Sequence, residues 1–217
     1  TELAAQALDG HGTILIADAP IQGCDFDGLQ QKMGLNQRLT LLRQTYPDVH
    51  IRIEDWRCTI LPEPQAKANQ RSDSQIGYRL IDVGSASFLE DVSDRSDRFR
   101  VTCYPPSAMS DHHKPGRHEY LVAAGALDSD LLINLPKMKT HKKAGLTGAL
   151  KNLVGINGHK EYLPHHIQGA PRQRGDEYQQ SSRLRRISAA VYDHVWEHRE
   201  QYGRVRLPLA MQVSGVL

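Results

Sequence analysis

Short β-branched runs alternate with helical stretches along this chain of 217 residues, and this order limits the folds that the chain can adopt. The predicted strands are residues 13–18, 49–55, 78–84, 99–104 and 130–136, and the predicted helical stretches are 26–46 (broken near Gly34), 118–127, 145–155 and 183–201. Such alternation is typical of a mostly parallel sheet with helices on both faces. We therefore predict an α/β fold of that kind, with long polar loops at 61–74 and 104–117.

The length allows one large domain or two small ones. Because no repeat or linker divides the sequence, we predict a single α/β domain over residues 1–217. We expect the apolar run at 207–217 to be a strand that needs neighbours, and residue 1 is not methionine. We therefore expect the chain to be the N-terminal or central part of a longer protein.

Neither a membrane segment nor a cysteine-based cofactor is indicated. No run approaches the roughly 20 apolar residues that a membrane helix needs, and no signal peptide is recognisable, so we expect a cytoplasmic protein without a membrane partner. The three cysteines, at 24, 58 and 103, are far apart and form no CxxC pair. Cysteine spacing of this kind predicts no iron–sulfur cluster in this chain.

Positive charge is concentrated in one segment. The net charge of the whole chain is only +2, which argues against a general nucleic-acid binder. Residues 131–160 nevertheless contain six lysines, two histidines and no acidic residue. An acid-free basic segment favours an anionic partner.

The basic segment reads as a strand, a lysine-rich loop and a helix. The loop opens at the carboxyl end of a predicted strand, where ligands of open α/β folds bind. Lysines at alternating positions project from one face of an extended loop, and glycines at the start of a helix let backbone N–H groups approach an anion. The predicted ligand-binding residues are Lys137, Lys139, Thr140, His141, Lys142, Lys143, Gly145, Gly148, Lys151 and Asn152.

The alternative for this segment is a solvated lysine run at a strand–helix turn, which is the usual meaning of clustered lysines. The position of the segment at a strand end, its glycines and its lack of acidic residues favour anion binding. Neither GxxxxGK[ST] nor GxGxxG occurs in it, so a Walker A loop or a dinucleotide site is not indicated.

The string INLPKMKTHKKAGLTGALKNLVGINGHK, residues 133–160, resembles the signature of the family called domain of unknown function 362. In that family an Asn-Leu-Pro-Lys strand end precedes a Thr-Gly-Ala-x-Lys-Asn helix. IADAPIQGCDFDGL and HHIQGAPRQRGDEY extend the resemblance over most of residues 12–178, toward the branch without a ferredoxin module. The resemblance implies a further C-terminal half and brings no established activity. Relatives with clusters suggest a redox-associated role as one alternative, but the cysteine spacing they need is absent here.

Three aspartates, Asp18, Asp55 and Asp82, fall near the carboxyl ends of predicted strands. If those strands are parallel, their carboxylates lie along the edge that carries the lysine loop and can hold Mg²⁺ against a phosphate. Aspartates that simply end strands in turns are the alternative, and for any one of them it is the better interpretation.

Histidines are the remaining candidates for chemistry. His112, His113 and His118, like His165 and His166, are potential metal ligands, but we interpret the first three as plain polar surface. His166 and Asp176 lie close in sequence and are, with His141, the predicted catalytic residues.

Two functional classes follow. The first is an enzyme acting on a phosphorylated or carboxylated small molecule, and the second is a noncatalytic ligand-binding or partner-docking domain that uses the same loop. The sequence does not predict the oligomeric state.

Overall fold

The computed structural model describes residues 1–60, 69–70, 76–101, 104–141 and 143–198, with only the backbone at 69–70. The predicted strand at 207–217, Cys103 and Lys142 lie outside the described residues. The chain divides into two compact units. The first comprises the described residues of 1–62, 68–78 and 123–158, and the second those of 79–122 and 159–198. The single-domain prediction stays a prediction.

The described elements include both strands and helices, as expected of an α/β protein. The strands are β1 (Gly12–Asp18), β2 (Val49–Asp55), β3 (Thr59–Ile60), β4 (Asn69–Gln70), β5 (Tyr78–Asp82), β6 (Phe99–Arg100), β7 (His113–Lys114), β8 (Arg117–Ala123), β9 (Lys139–His141), β10 (Gly145–Thr147) and β11 (His166–Ile167). The helices are α1 (Glu2–Ala7), α2 (Phe26–Lys32), α3 (Leu35–Thr45), α4 (Pro106–His112), α5 (Ala124–Asp128), α6 (Ala149–Asn152) and α7 (Arg183–Glu197). Short 3-10 helices are Gly84–Ala86, Glu90–Arg98, Leu153–Ile156, Lys160–Tyr162 and Pro171–Gln173.

The first unit contains the predicted β–helix–β arrangement. Strands β1 and β2 pair in parallel, from Gly12 opposite Val49 to Asp18 opposite Asp55. Gly34 has φ +60 and separates α2 from α3, as the predicted helix break requires. Leu39 of α3 is 1% exposed and packs with Val49 and Ile51 in the core of this unit. Apolar burial between helix and strands is the main source of its stability.

The prediction of a mostly parallel sheet is wrong for the described residues. Besides β1–β2, the pairs β3–β4, β6–β11, β7–β8 and β9–β10 are antiparallel, and β5 lies beside β8 in a three-stranded sheet. Tight turns between neighbouring strands, such as the one at Gly116 with φ +75, return the chain antiparallel to itself. The sheets are consequently small and mixed.

Two further corrections concern the second unit. The predicted helix at 118–127 is strand β8 followed by the short helix α5, which begins the return to the first unit. The predicted loop at 104–117 contains helix α4 and strand β7. Apolar runs of about ten residues suit a strand or a helix equally well. Here hydrogen bonding to β7 stabilises the strand.

The predicted central strand at 130–136 is also wrong. Residues 131–138 have no regular secondary structure, and Leu131 and Leu135 are 76% and 81% exposed. The predicted helix at 145–155 begins only at Ala149, because Gly145–Thr147 pairs with β9. No strand among the described residues lies beside 131–138, so its apolar side chains are not covered by a sheet.

Helix α7 confirms the prediction of a helix from residue 183, although its predicted end at residue 201 lies outside the described residues. Ser182 caps it by accepting a hydrogen bond from the Arg185 backbone N–H at 3.1 Å. Its buried residues are Ser188 and Trp196, whereas Leu184 is 61% exposed.

None of the helices that the structure describes combines the length and the apolar content needed to cross a membrane.

Candidate functional site

The lysine-rich segment forms a small hairpin in the first unit. Lys139 pairs with Thr147, and His141 pairs with Gly145. Alternation along β9 places Lys139 and His141 on one face and Thr140 on the other. The exposed Lys137 precedes the hairpin, and the exposed Lys143 lies in its turn. The predicted site residues are therefore presented by a hairpin and not by an open loop at a sheet edge.

His141 joins the hairpin to helix α6. Its Nδ1 accepts hydrogen bonds from the backbone N–H groups of Lys143 and Ala144, both at 3.2 Å. Its Nε2 lies 2.6 Å from the Nζ of Lys151. A lysine ten residues further along the chain is thus brought into contact with the imidazole by the turn into α6.

Two asparagines fix the position of α6 against residues 131–138. Asn134 Nδ2 donates to the Ala149 carbonyl at 2.7 Å, and Asn152 Nδ2 donates to Asn134 Oδ1 at 2.8 Å. Thr147 is 5% exposed, and its hydroxyl donates to the Lys139 carbonyl at 3.3 Å. Asn152 therefore helps to position the segment, and its predicted role in ligand binding stays a prediction.

Three lysines in and beside this hairpin form no ion pair within the described part of the chain. Lys137, Lys139 and Lys151 make no ion pair with the described carboxylates. Together with His141 they form a group that can offer several N–H donors to one anion. We call this group, with Lys143, the lysine hairpin site.

Gly145 begins strand β10 and Gly148 follows it, and their predicted role in ligand binding stays a prediction. Gly145 has φ +70, which a turn ending in β10 requires, and Gly148 precedes a helix of four residues. A helix of one turn aligns few peptide dipoles, so its N-terminus offers little to an anion. Side chains must supply most of any binding energy here.

Asp18 and Asp55 end the parallel strands side by side, but Asp55 is already engaged. It is 6% exposed, and its carboxylate accepts from Arg57 Nε at 2.9 Å and from Arg57 NH2 at 2.5 Å. Arg57 NH1 also donates to the carbonyls of Ile21, Gln22 and Cys24. Asp55 therefore anchors the arginine that holds the segment after β1.

Asp82 belongs to the second unit and is engaged by the backbone. Its Oδ1 accepts from the N–H groups of His118 and Gly84, each at 2.8 Å, and these bonds lower the pKa of the carboxyl below its usual value. Among the residues that the structure describes, no group of three or more His, Cys, Asp and Glu is arranged to hold a metal. Asp18 and Asp55 lie in the first unit and Asp82 lies in the second, and the magnesium site stays a prediction.

The predicted catalytic residues His166 and Asp176 lie in the second unit, whereas His141 lies in the first. His166 belongs to β11. Asp176 Oδ1 accepts from the Ile167 backbone N–H at 2.5 Å, and Glu177 Oε2 accepts from that of Gly169 at 3.1 Å. Both acidic side chains thus brace the 166–169 segment, and the catalytic roles stay predictions.

The histidines interpreted as polar surface are a buried network, which corrects that interpretation. His113 and His118 are register partners across the β7–β8 hairpin and are both 0% exposed. Their Nδ1 atoms lie 3.3 Å apart. His113 Nε2 donates to the Tyr162 carbonyl at 3.0 Å, and His118 Nε2 contacts Glu90 Oε2 at 3.0 Å. The Pro-Gly turn signal at 115–116 could have shown that these two residues pair.

Burial sets the protonation of two histidines in this network. It lowers the pKa of His113 to about 4, which outweighs the hydrogen bond to Tyr162. It also lowers the pKa of His159 to about 4, with smaller contributions from His112 and Lys160. Both imidazoles are therefore neutral at neutral pH.

His112 is hydrogen-bonded to a buried carboxylate. Its Nδ1 lies 3.1 Å from Glu119 Oε2, and its ring stacks on that of Tyr162 at 3.8 Å. Glu119 is 7% exposed and also accepts from Arg117 Nε at 2.7 Å. Burial raises the pKa of Glu119, but the hydrogen bonds from His112 and Arg117 prevail and hold it below its usual value.

Residues 90–210 match the model of a family described as a domain of unknown function, DUF362. No curated protein and no solved structure matches the chain. The family match covers more than half of the 217 residues, including the buried histidine network and the lysine hairpin. It confirms the resemblance seen in the signature at 133–160. The chain belongs to the DUF362 family.

Proposed function

We propose that this protein binds a phosphorylated or carboxylated small molecule at the lysine hairpin site. The observation that carries the proposal is the contact between Lys151 Nζ and His141 Nε2 at 2.6 Å. Both groups belong to a segment without acidic residues, and no described carboxylate pairs with Lys151.

Hydrogen counting at His141 supports an anionic ligand. Since Nδ1 accepts from two backbone N–H groups, a neutral His141 carries its hydrogen on Nε2. The Lys151 ammonium has no lone pair and can also only donate, so two donors face each other. A ligand oxyanion that accepts from both would remove this conflict and convert it into two charge-assisted hydrogen bonds.

The surrounding lysines extend the same chemistry. Lys139 lies on the face of β9 that carries His141, and Lys137 and Lys143 are exposed nearby in sequence. Each exposed charge alone is worth little because water and salt screen it. Several donors on one dianion act together, which favours phosphate and dicarboxylate ligands over monovalent anions.

Whether the bound molecule is converted distinguishes the two forms of this proposal. In the first, the protein is an enzyme acting on that molecule, and in the second it is a noncatalytic binding domain. Turnover of the best ligand by the protein would establish the first, and binding without turnover the second. The expectation of a cytoplasmic protein belongs to the same proposal.

We expect Lys139→Ala and Lys151→Ala each to weaken binding about tenfold, because each removes one charge-assisted contact of roughly 1.4 kcal/mol. Isothermal titration calorimetry with inorganic phosphate, sulfate, a phosphate monoester and a dicarboxylate measures this. Lys114→Ala, an exposed lysine in β7, is the matched control and should bind as the unaltered protein does. Equal affinities in all four proteins would contradict the site.

A further inference from the structure

We propose that His112 is a proton acceptor for an O–H group, oriented by Glu119 as its positioning residue. The O–H belongs to a substrate hydroxyl or to water. This inference concerns the second unit and does not depend on the lysine hairpin site.

The hydrogen bond to Glu119 fixes which nitrogen of His112 carries the hydrogen. The ionised carboxylate of Glu119 can only accept, so Nδ1 of His112 must donate to Oε2 across the 3.1 Å contact. In the neutral ring the lone pair is then on Nε2. No hydrogen bond from a described residue reaches this Nε2. It is therefore the atom available to take a proton.

The surroundings of His112 hold this arrangement rigidly. Its ring stacks on Tyr162 with an interplanar angle of 27°, and it is the last residue of α4. The side chain is 20% exposed, compared with 9% for Glu119, so the imidazole is reachable while its carboxylate partner is shielded. A shielded carboxylate behind a more accessible imidazole is the arrangement in which proton-accepting histidines work.

An ionised carboxylate contacts His112, and two neighbouring imidazoles are neutral. Glu119 stays ionised because its hydrogen bonds from His112 and Arg117 outweigh its burial. Arg117 contacts Glu119 Oε1 at 2.6 Å and so partly offsets its charge. The neighbouring imidazoles of His113 and His159 are neutral at pH 7, since burial lowers the pKa of each to about 4.

The proposed step is balanced without any further reagent. The Nε2 lone pair takes the proton of the O–H group, and the oxygen keeps the bonding electrons and attacks an electrophilic carbon. With water as the O–H donor and an ester as the electrophile, the C–O bond to the alcohol breaks. The proton on Nε2 then returns to the departing alkoxide, which restores neutral His112.

The first test uses the unaltered chain. Long-range ¹H–¹⁵N NMR of the neutral ring should show the hydrogen of His112 on Nδ1 and none on Nε2, with signals assigned by their loss in His112→Gln. The opposite tautomer would overturn the proposal, because Glu119 would then not orient the ring.

The second test is hydrolysis of p-nitrophenyl acetate as a probe ester. We expect kcat/KM to fall about a hundredfold in His112→Gln and about tenfold or more in Glu119→Gln, in the range that one general base contributes. Reaction should be slower in D₂O, and the pH of half-maximal rate should fall in Glu119→Gln because a neutral amide stabilises the imidazolium less.

Glu197→Gln is the control, since Glu197 is another carboxylate of this unit that accepts a hydrogen bond, from the Ser107 backbone N–H at 3.2 Å, and it does not contact His112 in the described structure. It should hydrolyse the ester at the unaltered rate. Circular dichroism verifies that each variant is folded. A folded His112→Gln protein with an undiminished rate, or a Glu119→Gln protein whose pH profile is unchanged, would refute the assignment.

Discussion

Replacing Arg57 by Ala should destabilise the protein by about 3 to 5 kcal/mol, because it leaves the carboxylate of Asp55 buried without its partner. The side chains of Arg57 and Asp55 are 2% and 5% exposed. The substitution also removes the donor to the carbonyls of Ile21, Gln22 and Cys24. Urea unfolding followed by circular dichroism measures the change in the free energy of unfolding.

Two further variants isolate the cause. Arg52→Ala removes an arginine whose side chain is 59% exposed and lies 3.5 Å from Glu54. It should lower the free energy of unfolding by no more than about 0.5 kcal/mol. The double variant Arg57→Leu/Asp55→Leu removes both charges and should recover part of the loss. If Arg57→Ala were as stable as Arg52→Ala, the ion pair would not anchor this unit.

Acidification should destabilise the second unit through His113 and His159. Burial gives each a folded pKa of about 4, below the ordinary value of 6.5 that the unfolded chain has. Between these values the unfolded state binds more protons. The contribution of each neutral imidazole to the free energy of unfolding is therefore fully present above pH 6.5 and is lost as pH falls toward 4. Between pH 7 and pH 5 each histidine should cost about 2 kcal/mol.

Urea unfolding at pH 7, 6 and 5 tests this dependence. In His159→Gln the difference in unfolding free energy between pH 7 and pH 5 should shrink by about 2 kcal/mol, because the variant has no imidazole to protonate on unfolding. His11→Gln, at an exposed position, should keep the full difference. An unfolding midpoint that does not vary with pH would show that these histidines are accessible to protons in the folded state.

Local features of the sequence determined the first β–helix–β unit, helix α7 and the concentration of lysines at 137–151. These depend on short-range causes: period-2 and period-3.6 patterns, a glycine break at Gly34, and a charge count that needs no coordinates. The family signature at 133–160 is equally local. For the same reason, the adjacent ends of β1 and β2 at Asp18 and Asp55 followed from parallel pairing.

Only the tertiary structure decided what those residues contact. The sequence pattern could not show that Asp55 is neutralised by Arg57, that 131–138 is exposed coil, or that His113 is completely buried. Residues distant along the chain bury these histidines. Glu90 contacts His118, and Tyr162 contacts His113. Long-range packing removes water from these imidazoles and fixes their hydrogen bonds, and neither effect is encoded in the neighbouring residues.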